Sequence, residues 1–381
     1  MSLKANWNFP THIRIGSGRL KEIGQCCSDL SIFNPLVVTD KNLGDNEITT
    51  ILKNELNSLK LPHSVFSQVD SNPTEINLIQ GLEILKEGGF DGVIAFGGGS
   101  ALDLGKLLAF MIAQDLPVWE FEDLSDNWKR ANTQGILPII AIPTTAGTGS
   151  EVGRAGVLTD SINKIKKVIF HPEMLPKSVI CDPTLSFKLP QKLTAGTGMD
   201  AFAHCLEAYC SPGYHPMADG IALIGIKLVK DSLLEAYENG ENIEARTNML
   251  SAALMGATAF QKGLGGIHAL SHPIGAIYNT HHGTTNAVVM KKVLEFNKDY
   301  INIKIQKLSN FLDIENGFNG FTDFVEELCN KLNIPKCLKD IGVEKNQLEL
   351  VASMAIVDPT ASGNPRELTF DNTLNLLKEC L

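Results

Sequence analysis

Histidine and aspartate residues recur at a helical spacing in the C-terminal half of the chain. Asp200 and His204 are four residues apart, as are His268 and His272, and the adjacent pair His281–His282 follows shortly after. Residues four apart lie on one face of an α-helix, about 6 Å apart along its axis. One carboxylate and three imidazoles can bind a borderline divalent ion such as Fe²⁺ or Zn²⁺ and leave a position for a substrate oxygen. The spacing therefore predicts a metal centre with Lewis-acid chemistry.

The spacing does not decide which histidine of each pair binds the ion. His268 and His272 share a helical face, and His281 and His282 are neighbours in the chain. A single pair is weak evidence, because core histidines with satisfied hydrogen bonds are common. Five of the nine histidines nevertheless fall in these three segments, and this concentration favours a metal site.

A glycine-rich turn in the N-terminal half has the composition of a phosphate-binding loop. It directly follows the apolar run GVIAF, it opens the helical segment ALDLGKLLAF, and it consists of Gly97, Gly98, Gly99 and Ser100. Glycines let backbone N–H groups approach an anion, and the helix N-terminus adds a partial positive charge. The alternative is a tight turn without a ligand. Asp103 and Lys106, in the following helix, are expected to have structural roles.

A second polar loop, Pro143–Glu151, follows the apolar run LPIIAI. It contains three threonines, a serine and two glycines, and Thr144 and Thr145 are its first hydroxyl donors. Ligands of open α/β sheets bind outside the carboxyl ends of the strands. Two donor-rich loops at the ends of two strands therefore predict a dinucleotide that crosses those ends.

Asp40 ends the apolar strand PLVVT, where an acidic side chain can accept hydrogen bonds from both ribose hydroxyls of an adenosine. The alternative is that Asp40 only caps the turn DKNLGD. Gly16 and Gly18 begin a second glycine pattern, but Lys21 stands where a GxGxxG motif needs its third glycine. We interpret that segment as a turn.

Hydrophobic periodicity indicates the elements that position these residues. Continuous apolar runs at 33–40, 92–96 and 137–142 are typical of parallel strands that are covered on both faces. Amphipathic segments at 75–87 and 101–114 lie between them. This alternation predicts βαβ units and a parallel sheet.

Strand signals fade after about Lys192, and long amphipathic segments follow at 200–209, 217–239, 243–260 and 320–332. A breaker-rich stretch, Cys181–Ser186, separates the two patterns. We therefore predict an α/β dinucleotide-binding domain over residues 1–185 and an all-α metal-binding and catalytic domain over residues 186–381.

Composition excludes several classes of protein. The chain of 381 residues is 44% hydrophobic and 20% charged, as expected for a folded globular protein. Its net charge of −10 argues against nucleic-acid and anionic-membrane partners. Eight scattered cysteines form no CxxC pair, which favours reduced thiols in the cytoplasm. The N-terminus MSLKANWNFP lacks the apolar run of a signal peptide, and no stretch approaches the length of a membrane span.

Six motifs in a fixed order resemble those of the iron-containing (group III) alcohol dehydrogenase family, which includes lactaldehyde reductases and propanediol dehydrogenases. They cover essentially the whole chain and read FPTHIRIGSGRLKEIG, VVTDKNL, GGGSALDLGK, IPTTAGTGSEV, TGMDAFAHCLEAY and HALSHPIGAIYNTHHGTTNA. The resemblance implies reversible hydride transfer between a small alcohol and NAD. It also implies Fe²⁺ as the metal, with Zn²⁺ or another divalent ion as the alternative.

The resemblance also assigns roles to individual residues. It implies that the metal ligands are Asp200, His204, His268 and His282. His272 is then a catalytic residue beside the nicotinamide that does not bind metal. Gly97 to Ser100 with Thr144 and Thr145 are implied to contact the dinucleotide phosphates. Asp40 is implied to read the ribose and to favour NAD, with Lys166 or Lys167 assisting the cofactor.

The chain departs from the family pattern in two places. His281 stands where proline is common, and residues 151–157 are unusually rich in glycine. Alternatives within the wider superfamily are a glycerol-type polyol dehydrogenase and a maleylacetate-type reductase, and the complete ligand set disfavours a metal-free reductase. A non-enzymatic nucleotide sensor is disfavoured for the same reason. We expect a cytoplasmic homodimer or higher homo-oligomer.

Overall fold

The computed structural model describes residues 11–381. Residues 1–10 lie outside the described part of the chain. They comprise the segment MSLKANWNFP, for which no signal peptide is predicted, and with it the first two residues of the motif FPTHIRIGSGRLKEIG. The described chain divides into two compact units. One comprises residues 11–145 and Gly149–Lys188, and the other comprises Ala146–Thr148 and Leu189–Leu381.

The first unit contains a six-stranded parallel sheet with the strand order β1-β8-β5-β4-β2-β3. A separate antiparallel hairpin joins β6 to β7. The eight strands are β1 His12–Ile15, β2 Pro35–Asp40, β3 Ser64–Val69, β4 Gly92–Gly97, β5 Ile139–Pro143, β6 Ala155–Asp160, β7 Ile165–Phe170 and β8 Ser178–Cys181.

The central strands of this sheet have the continuous burial that their apolar sequences predict. Every residue of β4 and β5 is buried, as is every residue of β2 before Asp40. The helices of this unit are α1 Ile23–Asp29, α2 Glu47–Ser58, α3 Glu75–Glu87 and α4 Gly99–Met111. The predicted parallel α/β region is therefore confirmed.

The hairpin of β6 and β7 was not predicted. Residues of β6 alternate between partial and full burial, and β7 carries two consecutive lysines. Neither strand forms the long apolar run that marks the strands of the main sheet.

The second unit is built from eight α-helices within its described residues. They are α5 Gln191–Cys210, α6 Pro216–Glu238, α7 Ile243–Ala259, α8 Gly266–Tyr278, α9 His282–Phe311, α10 Gly317–Lys331, α11 Leu348–Ala355 and α12 Phe370–Cys380. One apolar core connects them. The predicted all-helical region is confirmed, and none of the described helices combines the length and apolar character needed to cross a lipid bilayer.

The chain passes from the first unit to the second after Lys188, whereas the predicted boundary follows Leu185. The predicted boundary falls inside the short turn Pro183–Ser186. Leu185 lies in the apolar core of the first unit together with Ile140 and Ile180, so the short turn that carries it belongs to the α/β unit.

Candidate metal centre and dinucleotide loops

Helix α5 supplies the first two side chains of the candidate metal centre. It packs against α6, α7 and α9, and its apolar and small residues are buried on all sides after the first turn. Asp200 and His204 are 2% and 6% exposed. Such burial of two polar side chains is costly unless they have partners, which points to a role beyond packing.

The other two side chains come from α8 and from the start of α9. His268 lies in the first turn of α8, and Asn279, which follows the last residue of that helix, has a left-handed conformation with φ of 53°. A short turn follows, and α9 begins at His282. A Cβ atom at Gly283 would overlap the carbonyl of Gly196, so glycine is required for α9 to begin this close to α5.

The structure brings the four predicted ligands together. One ligand atom from each of Asp200, His204, His268 and His282 lies within 4.8 Å of the others. Asp200 Oδ1 is 3.9 Å from Nε2 of His204, 3.9 Å from Nε2 of His268 and 3.4 Å from Nε2 of His282. Two atoms bound to one tetrahedral ion at about 2.1 Å lie about 3.4 Å apart. The donor set and its spacing therefore fit a borderline divalent ion.

Glu207 orients one of these imidazoles. His268 Nδ1 lies 2.6 Å from Glu207 Oε2, and Glu207 Oε1 accepts the backbone N–H of Ile267 at 2.6 Å. A proton on Nδ1 leaves the lone pair on Nε2, which lies 3.9 Å from Asp200 Oδ1. Many metal-binding histidines are held by a carboxylate in this way. Burial lowers the pKa of His268 and raises that of Glu207 to about 7. The neutral imidazole that a metal requires is thereby favoured.

Glu207 was not predicted, although its spacing carries a signal. Asp200, His204 and Glu207 follow the i, i+4, i+7 spacing of one helix face. Glu207 is the third residue on that face and therefore belonged to the same pattern.

His272 has a different partner from His268. Its Nδ1 lies 2.9 Å from Asp358 Oδ2, and the ring stacks on His282 with centroids 5.5 Å apart. Burial opposes ionisation of Asp358, but the hydrogen bonds from His272 and Thr360 lower its pKa below the usual range. The result is an ionised Asp358 carboxylate that is hydrogen-bonded to His272 beside the candidate metal ligands. Asp358 was also missed, because it lies 86 residues from His272.

His281 caps helix α9. Its Nδ1 accepts a hydrogen bond from the backbone N–H of Thr284 at 3.3 Å. The side chain is exposed and satisfies a donor at the helix start, so the departure from proline at this position has a structural function.

We expect His281→Ala to retain its metal and to lose up to about 1 kcal/mol of stability, the typical value of a lost N-cap. Elemental analysis and thermal unfolding of the variant test this expectation. Loss of the metal would instead make His281 a ligand.

The first unit places Asp40 and the glycine-rich turn on two neighbouring strands. Along the chain β2 is followed by its neighbour β3 on one side, and β4 by its neighbour β5 on the other. The carboxyl ends of β2 and β4 therefore flank the topological switch point of the sheet, where ligands of open α/β sheets bind.

Asp40 uses one oxygen within the protein. Its Oδ1 accepts the backbone N–H groups of Asn42 and Leu43 at 3.0 and 3.2 Å, so it does cap the turn. Its Oδ2 lies 3.4 Å from the position of a Cβ at Gly97. Burial raises the pKa of this carboxyl. The capping role and a ribose contact thus involve different oxygens and are compatible.

The two polar loops lie side by side at the same sheet edge. Gly97 is in register with Pro143, and Thr144 donates its backbone N–H to the carbonyl of Gly97 at 3.0 Å. Gly97 has φ of 145°, a value that other residues rarely adopt. Helix α4 begins at Gly99, and among the described residues no side chain caps it. Its first N–H groups therefore suit a phosphate.

The other residues predicted to contact the dinucleotide lie on α4 and on β7. Ser100 donates its hydroxyl to the carbonyl of Ser71 at 2.6 Å, which leaves its backbone N–H as the group suited to a phosphate. Lys166 lies on β7, in the two-stranded sheet outside the main one. The adjacent Lys167 forms ion pairs with Glu122 and Asp160, each at 3.5 Å.

Asp103 and Lys106 connect α4 to the second loop. Lys106 is 1% exposed, donates to the carbonyl of Ser150 at 3.0 Å and lies 3.1 Å from Asp103 Oδ1. Asp103 Oδ2 accepts the backbone N–H of Val157 at 2.9 Å. Both residues therefore have the structural roles expected from the sequence.

Comparisons with known proteins agree with this fold. The family described as "Iron-containing alcohol dehydrogenase" matches residues 10–183, and "Fe-containing alcohol dehydrogenase family, C-terminal" matches residues 194–381. A 4-hydroxybutyrate dehydrogenase of Cupriavidus necator is 35% identical over 98% of this chain and 99% of its own. An NAD-dependent methanol dehydrogenase of Bacillus methanolicus is 30% identical over 99% of this chain and 100% of its own.

The crystal structure of a 1,3-propanediol oxidoreductase superposes with a TM-score of 0.94 at 29% identity and covers 99% of this chain and 100% of that one. These similarities confirm the predicted family and the prediction that the chain is an alcohol oxidoreductase. Both family descriptions together span nearly the whole sequence. The chain therefore belongs to the iron-containing alcohol dehydrogenase family.

Proposed function

We propose that this protein interconverts a small alcohol and its aldehyde or ketone, with NAD as the hydride acceptor and donor and a divalent ion at the candidate metal centre. The observation that carries the proposal is the convergence of one carboxylate and three imidazoles, from three helices, within 4.8 Å. The names of the relatives, which include an NAD-dependent enzyme and dehydrogenases of short hydroxylated molecules, support the same reaction.

Asp200, His204, His268 and His282 would hold the ion, which we propose to be Fe²⁺ with Zn²⁺ or another divalent ion as the alternative. When bound, such an ion supplies Lewis-acid chemistry, which lowers the pKa of an alcohol hydroxyl and polarises a carbonyl. Glu207 fixes the tautomer and the orientation of the His268 ring, as its 2.6 Å contact with Nδ1 implies.

His272 is proposed to move the proton. Because Nδ1 bonds to Asp358, the lone pair of Nε2 is available to accept the proton of the alcohol. The Asp358 carboxylate stabilises the imidazolium that results, and the proton then passes to solvent. In the reduction direction the same atom returns a proton to the product oxygen.

The first unit is proposed to bind the dinucleotide. The backbone of Gly97, Gly98, Gly99 and Ser100, together with Thr144 and Thr145, would donate to the phosphates, with Lys166 assisting. Asp40 Oδ2 would accept the ribose hydroxyls. A bound nicotinamide supplies the hydride chemistry, and the protein supplies its position.

Two substitutions of Asp40 separate its cap of the turn from its proposed preference for NAD. Asp40→Asn keeps a capping oxygen but removes the charge, whereas Asp40→Gly removes both. If the charge repels a 2′-phosphate, both variants should raise the ratio of kcat/KM for NADP over NAD by about tenfold or more. A tenfold change needs about 1.4 kcal/mol, less than the about 4 kcal/mol between unit charges 4 Å apart near a protein surface. An unchanged ratio in both variants would restrict Asp40 to the turn.

The reaction itself is tested with a panel of substrates on protein of measured metal content. Methanol, 1,3-propanediol, 4-hydroxybutyrate and glycerol are assayed with NAD and NADP, and the matching aldehydes and maleylacetate with the reduced cofactors. We expect NAD-linked turnover of at least one small alcohol, dependent on the metal. No nicotinamide-linked turnover by fully loaded protein would reject the proposal, and turnover of maleylacetate without metal would favour the alternative reductase.

The proposal extends to cellular location and assembly. All eight cysteines are free thiols, which fits a reducing compartment such as the cytoplasm. A homodimer or higher homo-oligomer is proposed, and light scattering coupled to size-exclusion chromatography measures its mass directly.

A further inference from the structure

Asn286 lies among the proposed metal ligands, although no sequence pattern singled it out. It follows His282 by one turn on α9, and its side chain is 0% exposed. A carboxamide offers one donor group and one acceptor and does not change its charge with pH. Its position therefore bears on how the ligands are held.

The amide nitrogen of Asn286 contacts three of the four ligand atoms. Nδ2 lies 2.8 Å from Asp200 Oδ1, 3.3 Å from His268 Nε2 and 3.3 Å from His282 Nε2. Asp200 Oδ1 is also the oxygen that faces all three imidazoles. The carboxamide thus covers the face of the donor set that Asp200, His268 and His282 form.

A second asparagine on the same helix provides a comparison. Asn297 exchanges two hydrogen bonds with Asn364, at 2.8 and 2.9 Å, so both of its amide atoms are paired. Asn286 Oδ1, in contrast, is buried and has no hydrogen-bond partner among the described residues. A buried unpaired carbonyl costs stability, and an apolar side chain of the same shape would avoid that cost. Stability alone therefore does not account for Asn286.

We propose that Asn286 is a positioning residue of the metal centre, an inference that rests on the proposed metal site. Its N–H holds Asp200 Oδ1 toward the three imidazoles, and its carboxamide closes one face of the donor set to water. Four donors define four triangular faces, and each of the three faces that Asn286 leaves open includes His204. The substrate oxygen must therefore approach on the side of His204.

Two substitutions separate the hydrogen bond that Asn286 donates from its exclusion of water. Asn286→Leu fills the space over this face of the donor set but donates no hydrogen bond. Asn286→Ala also donates none, and it leaves space for water. Asn297→Leu is the control, because it removes from the same helix a buried amide whose two hydrogen bonds both go to Asn364. The full-length protein and each variant are titrated with Zn²⁺ and Co²⁺ against a chromophoric chelator, and the absorption spectrum of the Co²⁺ form reports the coordination number.

We expect both Asn286 variants to bind the metals about 10–100-fold more weakly, the usual effect of losing a partner of a metal ligand. Only Asn286→Ala should acquire the Co²⁺ spectrum of a higher coordination number. Asn297→Leu should lower the thermal stability but leave affinity and spectrum unchanged.

The outcomes distinguish this inference from the proposed function. Failure of the wild-type protein to bind either metal would overturn the metal site and the role of Asn286 together. Wild-type binding with unchanged affinity in Asn286→Ala would overturn only the role of Asn286, even if Asn286→Leu does not fold. An equal loss of affinity in Asn297→Leu would also overturn it, because the effect would then be one of helix stability.

Discussion

Replacing His282 or His268 with alanine is expected to remove the bound ion and nearly all alcohol oxidation while the chain stays folded. Each histidine places its Nε2 within 3.9 Å of Asp200 Oδ1. The three donors that remain come from helices that pack through a common apolar core, so the fold does not depend on the ion. Activity should fall by more than the about 10²–10⁴-fold typical of a lost proton-transfer group.

A neighbouring histidine provides a matched control for this experiment. His281→Ala changes the residue next to His282 but removes only a helix cap. Elemental analysis, circular dichroism and steady-state rates of the three variants give the comparison. Stoichiometric metal in both His268→Ala and His282→Ala would reject the assigned donor set.

Much of the fold could be predicted from local patterns. The run GVIAF is apolar throughout because β4 is buried on both faces, and α3 occupies the predicted residues 75–87. The hairpin of β6 and β7 escaped prediction because its burial depends on contacts with α4. Its own sequence, with Lys166 and Lys167 adjacent, does not carry a strong apolar pattern.

Part of the metal centre could also be predicted from local patterns. Asp200 with His204 is a local signal within one helix, and the resemblance to a family selected His268 and His282 from their neighbours. Asp358 and Asn286 were not predicted, because each is placed by tertiary packing. Asp358 reaches His272 across 86 residues of chain, and no sequence spacing encodes that contact.

Asp40 illustrates a different limit of sequence analysis. The turn cap and the ribose contact were considered as alternatives. The structure gives the cap to Oδ1 and leaves Oδ2 beside Gly97. One carboxylate has two oxygens, so a structural role at one of them does not argue against a functional role at the other.

His272→Ala is expected to retain its metal and to lose about 10²–10⁴-fold in kcat, the usual contribution of a positioned proton-transfer group. Asp358→Asn should have an effect of the same order, because a neutral amide no longer stabilises the imidazolium and no longer fixes its tautomer. Both effects require that His272 acts by transferring a proton at Nε2 and not by binding the metal.

A second Asp-Pro-Thr turn supplies the control for Asp358→Asn. Asp182 caps a short turn by accepting the backbone N–H and the hydroxyl of Thr184, as Asp358 does with Thr360. The second oxygen of Asp182 accepts a backbone N–H, from Leu20, where that of Asp358 accepts a histidine. Asp182→Asn should therefore change stability but not kcat. Metal loss in His272→Ala would mean that His272 is a ligand, and equal rates in Asp358→Asn and Asp182→Asn would mean that Asp358 serves only its turn.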